Sequence, residues 1–194
     1  MIKEQYSFAS NGWKDHMQHV YSFRFTETPE FTQEADYITT AVNPDHRQGY
    51  DNITLLSHNA YSVGVKVSVH CAFDGLGCPA LIMVKNPEKH SDGVVRYDEC
   101  FEVVLWKNGV NIWRYYIDED NKCRWRKRLE FKMPVPEKDI HELEMLVEKD
   151  HIAFNLDGIS AKLRAEDLFD TFYLGINACE GIARFYDLEI ASLD

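Results

Sequence analysis

Short runs of Val, Ile, Leu and aromatic residues recur along this chain, about every eight to twelve positions, and turn-forming residues separate them. Within the runs, apolar and polar residues alternate with the period of two that places them on opposite faces of a β-strand. The pattern predicts strands at Val20–Thr26, Asn52–Ser57, Ser62–Ala72, Ala80–Val84, Glu99–Trp106, Asn111–Ile117, Arg124–Lys132, His141–Glu148, His151–Leu156, Thr171–Asn177 and Ile182–Ile190.

Each predicted strand has one apolar face and one more polar face. In the run from 62 to 72, the apolar face carries Val63, Val65, Val67 and Val69, and the polar face carries Lys66, Ser68 and His70. In the run from 99 to 106, Phe101, Val103 and Leu105 oppose Cys100, Glu102, Val104 and Trp106. Two sheets packed on such apolar faces form a sandwich, so we predict an all-β, two-sheet antiparallel jelly roll.

Turn signals support this architecture. Asn108-Gly109 predicts a tight hairpin between two strands, and Asp157-Gly158 predicts another. Helix is scarce: Pro29–Ala35 and Ala165–Phe169 each fit at most one helical turn. A parallel sheet is not expected, because the chain lacks the long helical crossovers that parallel strands require.

The length and composition of the chain indicate a single domain. The 194 residues, 45% of them hydrophobic, are enough for one β-sandwich domain over 1–194, with its core between about 20 and 190. No stretch approaches the roughly 20 apolar residues of a membrane-spanning helix. The first ten residues lack the apolar run of a signal peptide, so we expect a cytoplasmic protein.

The net charge and the cysteine spacing disfavour several classes of binding partner. The net charge of −11 disfavours nucleic acid and anionic membranes, because both attract a positive surface. The five cysteines have no zinc-site spacing, and we expect reduced thiols. No metal or cofactor is predicted, since the Asp and Asn residues in the loops have no diagnostic calcium-ligand spacing. The oligomeric state is left open by the sequence.

Two segments resemble the concanavalin A-like lectin and glucanase superfamily. They are Tyr97–Trp113 (YDECFEVVLWKNGVNIW) and Leu174–Leu188 (LGINACEGIARFYDL), and the order of strands between 20 and 190 is similar as well. The resemblance implies a jelly roll with its ligand surface on the concave face of one sheet. On this chain that surface would comprise Lys66, Ser68, His70, Glu102, Trp106, Tyr173 and Asn177. The partner strand would add either Trp113 and Tyr115 or Arg114 and Tyr116, because a one-residue slip exchanges the two sets.

Two functions follow from this resemblance. The first is lectin-like binding of an oligosaccharide or polysaccharide, with aromatic rings stacking on sugars. The alternative is a glycoside hydrolase or polysaccharide lyase that uses Glu102 and His70 as acid and base. A structural scaffold is a third possibility. One glucanase branch carries acids as Glu-x-Asp-x-x-Glu or Glu-x-Asp-x-Glu on a strand. The stretch 96–102 lacks the leading Glu, and alternation puts Asp98 on the face of Glu102 while Glu99 points away. Binding is therefore favoured.

The basic run at 124–128 has two interpretations. Strand alternation would place Arg124, Arg126 and Arg128 on one face, with Trp125 and Lys127 on the other. Arginine forks suit carboxylates and phosphates, which would fit an acidic glycan. Pairing with nearby Asp and Glu of this acidic protein is the simpler expectation.

Overall fold

A computed structural model describes residues 3–23, 27–40, 42–43, 48–49 and 52–193, with only the backbone considered at 42–43 and 48–49. One short 3-10 helix covers Asn11–Asp15. The first ten strands are β1 (Lys3–Ser7), β2 (Met17–Ser22), β3 (Thr32–Gln33), β4 (Ile38–Thr39), β5 (Val42–Asn43), β6 (Gln48–Gly49), β7 (Ile53–Tyr61), β8 (Val65–Asp74), β9 (Pro79–Val84) and β10 (Glu88–Lys89). The remaining strands are β11 (Val95–Tyr97), β12 (Cys100–Trp106), β13 (Gly109–Ile117), β14 (Cys123–Lys132), β15 (His141–Glu148), β16 (His151–Leu156), β17 (Ile159–Arg164), β18 (Phe172–Ala178), β19 (Ile182–Phe185) and β20 (Asp187–Ser192).

Two large sheets contain nearly all of these strands. Sheet 1 has the order β17-β16-β15-β8-β19-β4-β3, with β20 also paired to β8 and β1 paired to β20. Sheet 2 has the order β10-β11-β2-β7-β18-β9-β12-β13-β14. Strands β11 and β2 pair in parallel, whereas the other pairs of both sheets are antiparallel. The predicted two-sheet jelly-roll sandwich is confirmed.

The core lies between the inner faces of the two sheets. Val67 and Val69 of β8 belong to the same buried cluster as Phe101 and Val103 of β12, so side chains of both sheets meet there. The core starts earlier than the predicted position 20, because Phe8 in the N-terminal segment is completely buried. Strand β1, which the alternation pattern did not predict, pairs with β20 along the edge of sheet 1.

Several predicted elements differ from the observed ones. Neither predicted helical turn forms: Pro29–Ala35 contains β3, and 165–169 is a turn whose ends, Ala165 and Phe169, are buried against the core. Val63 precedes β8 and is 39% exposed, so the apolar row starts at Val65. The predicted strand Val20–Thr26 is β2, ending at Ser22, and residues 24–26 lie outside the described part. Among the described residues, no helix is long and apolar enough to cross a membrane.

A bulge shapes the centre of sheet 2. The pairing of β18 with β7 shifts between Tyr173 and Gly175. A Cβ atom on Gly175 would lie 1.9 Å from the backbone oxygen of Leu55, so only glycine allows the two strands to approach this closely. The bulge therefore fixes how β18 presents its remaining side chains.

Candidate ligand-binding face

The predicted site residues divide between the two sheets. Lys66, Ser68 and His70 lie on β8 of sheet 1, whereas Glu102 and the remaining members lie on sheet 2. Apart from Arg114, each group is on the side of its sheet that faces away from the core. Because packed sheets are about 10 Å apart, the two outer faces lie on opposite sides of the sandwich. The prediction that these residues share one face is wrong, and Glu102 and His70 do not form an acid/base pair.

The outer face of sheet 1 is a solvated surface of ion pairs. Lys66 Nζ lies 2.6 Å from Glu144 Oε1, and His70 Nδ1 lies 2.8 Å from Asp187 Oδ2. Ser68 is half-buried between strands whose paired residues are Glu144 and Glu189. Lys66 and His70 thus each contact a carboxylate on a neighbouring strand, as is usual for a polar sheet face in water.

The outer face of sheet 2 is defined by the register of β12 and β13. Trp113 pairs with Glu102, and Tyr115 pairs with Cys100, so both aromatic residues share the face of Glu102. This register resolves the alternative left by the sequence in favour of Trp113 and Tyr115. Tyr173 and Asn177 of β18 lie on the same face, opposite the core-facing Phe172, Leu174 and Ile176.

Arg114 is on the inner side, and its predicted place on the ligand face is wrong. It is only 5% exposed, and its guanidinium carbon lies 4.9 Å from the ring centre of Phe101 and 4.8 Å from that of Phe169. Its Nη2 atom donates to Glu99 Oε2 at 2.5 Å. Arg114 pairs with Phe101 in the register, which places its side chain among the inward-facing residues. Tyr116, two residues after Arg114, shares this side.

A chain of buried hydrogen bonds crosses the outer face of sheet 2. Thr54 Oγ1 donates to Asn177 Oδ1 at 2.9 Å, and Asn177 Nδ2 donates to Glu102 Oε1 at 2.9 Å. Since the Thr54 proton is used in this way, the Tyr97 hydroxyl donates to Thr54 Oγ1 at 3.0 Å. Cys179 Sγ lies 3.9 Å from Glu102 Oε2. Glu102 is 1% exposed, so this polar chain is recessed beneath the surface.

Burial raises the pKa values of the tyrosine and cysteine side chains in this network. It raises the pKa of the Tyr97 phenol well above its usual range, and the neighbouring Cys100 and Glu102 add to the effect. Burial likewise raises the pKa of the Cys179 thiol well above its usual range, and the charge of Glu102 adds to it. Both groups therefore stay protonated at neutral pH and serve as donors. The direction of each hydrogen bond in this buried network is therefore fixed.

Aromatic side chains lie beside this hydrogen-bond network, on β13 and β14. Tyr115 is paired directly with Trp125, which is 57% exposed. Trp113 is paired with Lys127, whose Nζ lies 5.5 Å from a Trp113 ring centre. Three aromatic rings and an ammonium group thus share the outer face next to Glu102. Such rings offer apolar area for the faces of sugars, and neighbouring polar groups provide hydrogen bonds.

One end of the face carries two polar atoms without partners. Within the described residues, Trp106 Nε1 and Asn111 Oδ1 are buried and make no hydrogen bond. Val104 pairs with Asn111 and Trp106 with Gly109, so the two side chains are diagonal neighbours. Trp106 also lines a cleft of about 410 Å³ with Glu130. A donor and an acceptor left unpaired side by side are unusual in a folded protein.

Glycoside hydrolysis uses two carboxyl groups about 5 Å or about 6.5–9.5 Å apart, and within the described residues the outer face of β12 offers Glu102 no such partner. Along β12, the neighbours of Glu102 on the outer face are Cys100 and Val104. Glu99 points to the inner side and pairs with Arg114. Asp98, expected on the face of Glu102, precedes β12 and lines a separate cleft. Among the described residues, no group of three His, Cys, Asp or Glu side chains could hold a metal ion.

Comparison with solved structures places this geometry in a known fold. A glycoside hydrolase family 16 endo-glucanase from Bacteroides ovatus, solved in complex with a ligand, superposes with a TM-score of 0.64 at 10% identity, covering 98% of this chain and 99% of that one. The carbohydrate binding module CBM66 from Bacillus subtilis gives a TM-score of 0.55 at 16% identity, covering 78% of this chain and 92% of that one. The fold is the concanavalin A-like jelly roll.

A third structure shares this jelly roll. It is a protein of unknown function with a galectin-like fold from Bacillus subtilis, with a TM-score of 0.64 at 9% identity, covering 97% of this chain and 94% of that one. No protein-family profile matches the chain, and no curated protein matches it either. At these identities the likeness concerns the fold, and any function has to be argued from the side chains.

Sequence reasoning missed part of the site. Thr54 and Tyr97 were not singled out, although Thr54 alternates with the buried Ile53 and Leu55 and was therefore recognisable as an outer-face residue. Tyr97 lies in β11, a strand of three residues that pairs in parallel with β2, and no alternation pattern predicts such a short element. Cys179 directly follows the end of β18, two residues after Asn177, and was not recognised as part of the outer face.

Proposed function

We propose that this protein binds an oligosaccharide on the outer face of sheet 2. The observation that carries the proposal is the position of Trp113, Tyr115 and Trp125 on one face with the buried Asn177–Glu102 hydrogen bond. The rings supply stacking surface for sugar faces, the solvent-accessible Lys127 beside Trp113 supplies a donor for hydroxyls, and the buried network holds the strands beneath in position. Two of the similar folds are named as a carbohydrate binding module and an endo-glucanase, which supports a glycan as the ligand.

Binding is favoured over hydrolysis. Glu102 accepts a hydrogen bond from Asn177 and is 1% exposed, and the flanking outer-face positions of β12 are Cys100 and Val104. A hydrolase of the two-carboxylate type needs a second carboxyl group near the first one. His70, the partner expected from the sequence, lies on sheet 1.

The test is a panel of oligosaccharides, assayed by calorimetry for binding and by chromatography for cleaved product. We expect at least one oligosaccharide to bind without being cleaved, and Trp125→Ala to weaken its binding about tenfold, because aromatic contacts contribute about 0.5–1.5 kcal/mol each. Trp125 is exposed, so the substitution should leave the fold intact.

Two controls accompany this test. Ile159→Ala removes another large exposed apolar side chain, on β17 of sheet 1, and His70→Ala removes the histidine of the outer face of sheet 1. Both variants should bind the oligosaccharide like the wild type. The proposal fails if no oligosaccharide binds, or if Trp125→Ala binds as tightly as Ile159→Ala does. A cleaved product that disappears in Glu102→Gln would instead favour the hydrolase.

A further inference from the structure

Arginine side chains from β13 and β14 converge on the carboxylate of Asp167, on the other side of β14 from the aromatic face. Arg128 Nη1 lies 2.8 Å from Asp167 Oδ1. Arg114 Nε and Arg126 Nη2 lie 3.4 Å and 3.7 Å from Asp167 Oδ2. Arg164, at the end of β17, completes the group and has Glu166 as its neighbour at 3.3 Å. In a chain with a net charge of −11, this is a local concentration of positive charge.

The arginines differ in how far their charge is already balanced. Arg114 is buried and has Glu99 as a close partner, and Arg128 is held by Asp167. Arg126 and Arg164 have side chains that are 55% and 69% exposed, and their carboxylate neighbours lie at 3.7 Å and 3.3 Å. Exposed ion pairs of this kind contribute little energy, so these two guanidinium groups can exchange their partners for a ligand.

A cleft separates these groups and gives a ligand access to them. It has a volume of about 380 Å³ and is lined by Arg126, Arg128, Arg164, Glu166 and Asp167, which sets three guanidinium groups against two carboxylates. Burial raises the pKa of Asp167, but the hydrogen bond from Arg128 and the charges of Arg128 and Arg114 outweigh it, and the net pKa is lowered. Asp167 is therefore ionised, and the lining of the cleft still carries one more positive group than negative groups.

We infer that this cleft, hereafter the arginine cleft, binds an oxyanion group through the guanidinium forks of Arg126 and Arg164, with Arg128 at its base. A guanidinium fork matches two oxygens of a sulfate, phosphate or carboxylate group, which a lysine ammonium cannot do. The bound group is a free inorganic oxyanion or an acidic substituent of a saccharide. The arginine cleft does not depend on the proposed oligosaccharide face, because Arg126 and Trp125 point to opposite sides of β14.

The first test uses inorganic sulfate as the probe. Binding to the full chain is measured by titration calorimetry and by chemical shifts of the arginine side chains, with chloride at equal ionic strength as the reference. We expect sulfate to bind, and the double variant Arg126→Ala/Arg164→Ala to bind it at least tenfold more weakly. Glu166→Gln, which removes an exposed competing carboxylate, should bind sulfate about threefold more tightly.

Arg124→Ala is the matched control. Arg124 is on the same strand, its side chain is 50% exposed, and it is bound to Asp118 at 2.6 Å, away from the arginine cleft. This variant should bind sulfate within twofold of the wild type. The inference is overturned if sulfate does not bind beyond chloride, or if it binds equally to the wild type and the double variant.

A second test separates the two sources of the oxyanion. One oligosaccharide is titrated in its sulfated and its unsulfated form. A preference for the sulfated form that the double variant loses assigns the oxyanion to a saccharide, whereas sulfate binding without this preference assigns the cleft to the free ion. Trp125→Ala should retain sulfate binding in either case, so a failure of the oligosaccharide face and a failure of the arginine cleft are distinguishable.

Discussion

The two outer faces of the sandwich each contain an Asn–Glu hydrogen bond of the same length in very different surroundings. On sheet 2, Asn177 Nδ2 donates to Glu102 Oε1 at 2.9 Å, and both residues are buried. On sheet 1, Asn155 Nδ2 donates to Glu144 Oε2 at 2.9 Å, and both residues are half-buried, with Lys66 beside the carboxylate.

The comparison shows that polar positions on a strand do not by themselves indicate a binding site. On sheet 1, Lys66, His70 and Asn155 pair with carboxylates in contact with water. On sheet 2, the polar groups are recessed and fixed in direction, and large aromatic rings lie beside them. Fixed polar groups next to apolar surface are what a specific ligand site needs. The following predictions test this contrast.

The largest expected effect comes from breaking the buried hydrogen-bond chain. Asn177→Ala removes the amide donor of Glu102 and the acceptor of Thr54, so we expect a loss of about 4 kcal/mol in the free energy of unfolding. Urea denaturation measures it. Asn155→Ala is the matched control on the solvated face and should cost about 1 kcal/mol or less. Equal costs for the two variants would contradict the contrast between the faces.

The half-buried His19 predicts a pH dependence of stability. The pKa of His19 is lowered to about 4, mainly by burial; the charge of Lys14 lowers it as well, and the charge of Glu30 opposes the shift. His19 Nε2 accepts a hydrogen bond from the Phe31 amide, as the nitrogen of a neutral ring does. Above pH 6.5 both folded and unfolded His19 are neutral. Between pH 6.5 and about 4 only the unfolded chain gains the proton. As the pH is lowered through this range, the free energy of unfolding therefore decreases by about 3 kcal/mol.

The check is urea denaturation of the wild type and His19→Gln at pH 7 and pH 4.5. Glutamine can still accept the Phe31 amide but does not titrate, so its variant should lose about 2–3 kcal/mol less than the wild type over this range. His70→Gln, on the exposed face of sheet 1, should follow the wild type. If His19→Gln loses as much stability as the wild type does, His19 is not the group responsible.

Adjacent tyrosines on β13 test which side of sheet 2 binds the oligosaccharide. Tyr115 is on the aromatic face, whereas Tyr116 stacks with Arg126, whose Cζ lies 5.5 Å from its ring centre. Tyr115→Ala should weaken oligosaccharide binding about fivefold, since one aromatic contact is worth about 1 kcal/mol. Tyr116→Ala should change it less than twofold. Calorimetry distinguishes the two, and the reverse order would place the ligand on the inner side.

The smallest effect concerns the ion pairs of sheet 1. The hydrogen bond to Glu144 raises the pKa of Lys66, but its side chain is 37% exposed and water screens the interaction. Lys66→Ala should therefore change the free energy of unfolding by less than about 1 kcal/mol, and 0.5 M salt should reduce this difference further. Denaturation at two salt concentrations measures it. A loss comparable to that of Asn177→Ala would mean that this face is not a solvated one.

Much of the fold was predictable because β-strand periodicity is local. The alternation in Glu99–Trp106 identified both faces of β12 correctly, and Asn108-Gly109 marked the hairpin to β13, where Gly109 has a φ of 132° that other residues rarely adopt. The short strands β1 and β11 were missed because their side chains are ordered by pairing with distant strands and not by a pattern of their own.

The basic run at 124–128 illustrates a mixed result. The separation of Arg126 from Trp125 and Lys127 was predicted from alternation. The pairing of β13 with β14 shifts between Ile112 and Trp113, however, which adds Arg128 as an extra residue. The expected pairing with acids is present at Asp118 and Asp167. The gathering of Arg126 and Arg164 from separate strands into one cleft had no signal in the sequence.

The sequence by itself determined the all-β character, the inward rows of apolar residues and the outward position of Glu102 and Trp106, because side-chain alternation depends only on neighbouring residues. The tertiary structure decided which outward residues meet. Residues on β8 and β12 have similar patterns, yet β8 pairs with β15 and β12 with β9, which puts His70 and Glu102 on opposite sides of the molecule. Strand partners are chosen by the packing of the whole core, and a period of two carries no information about that choice.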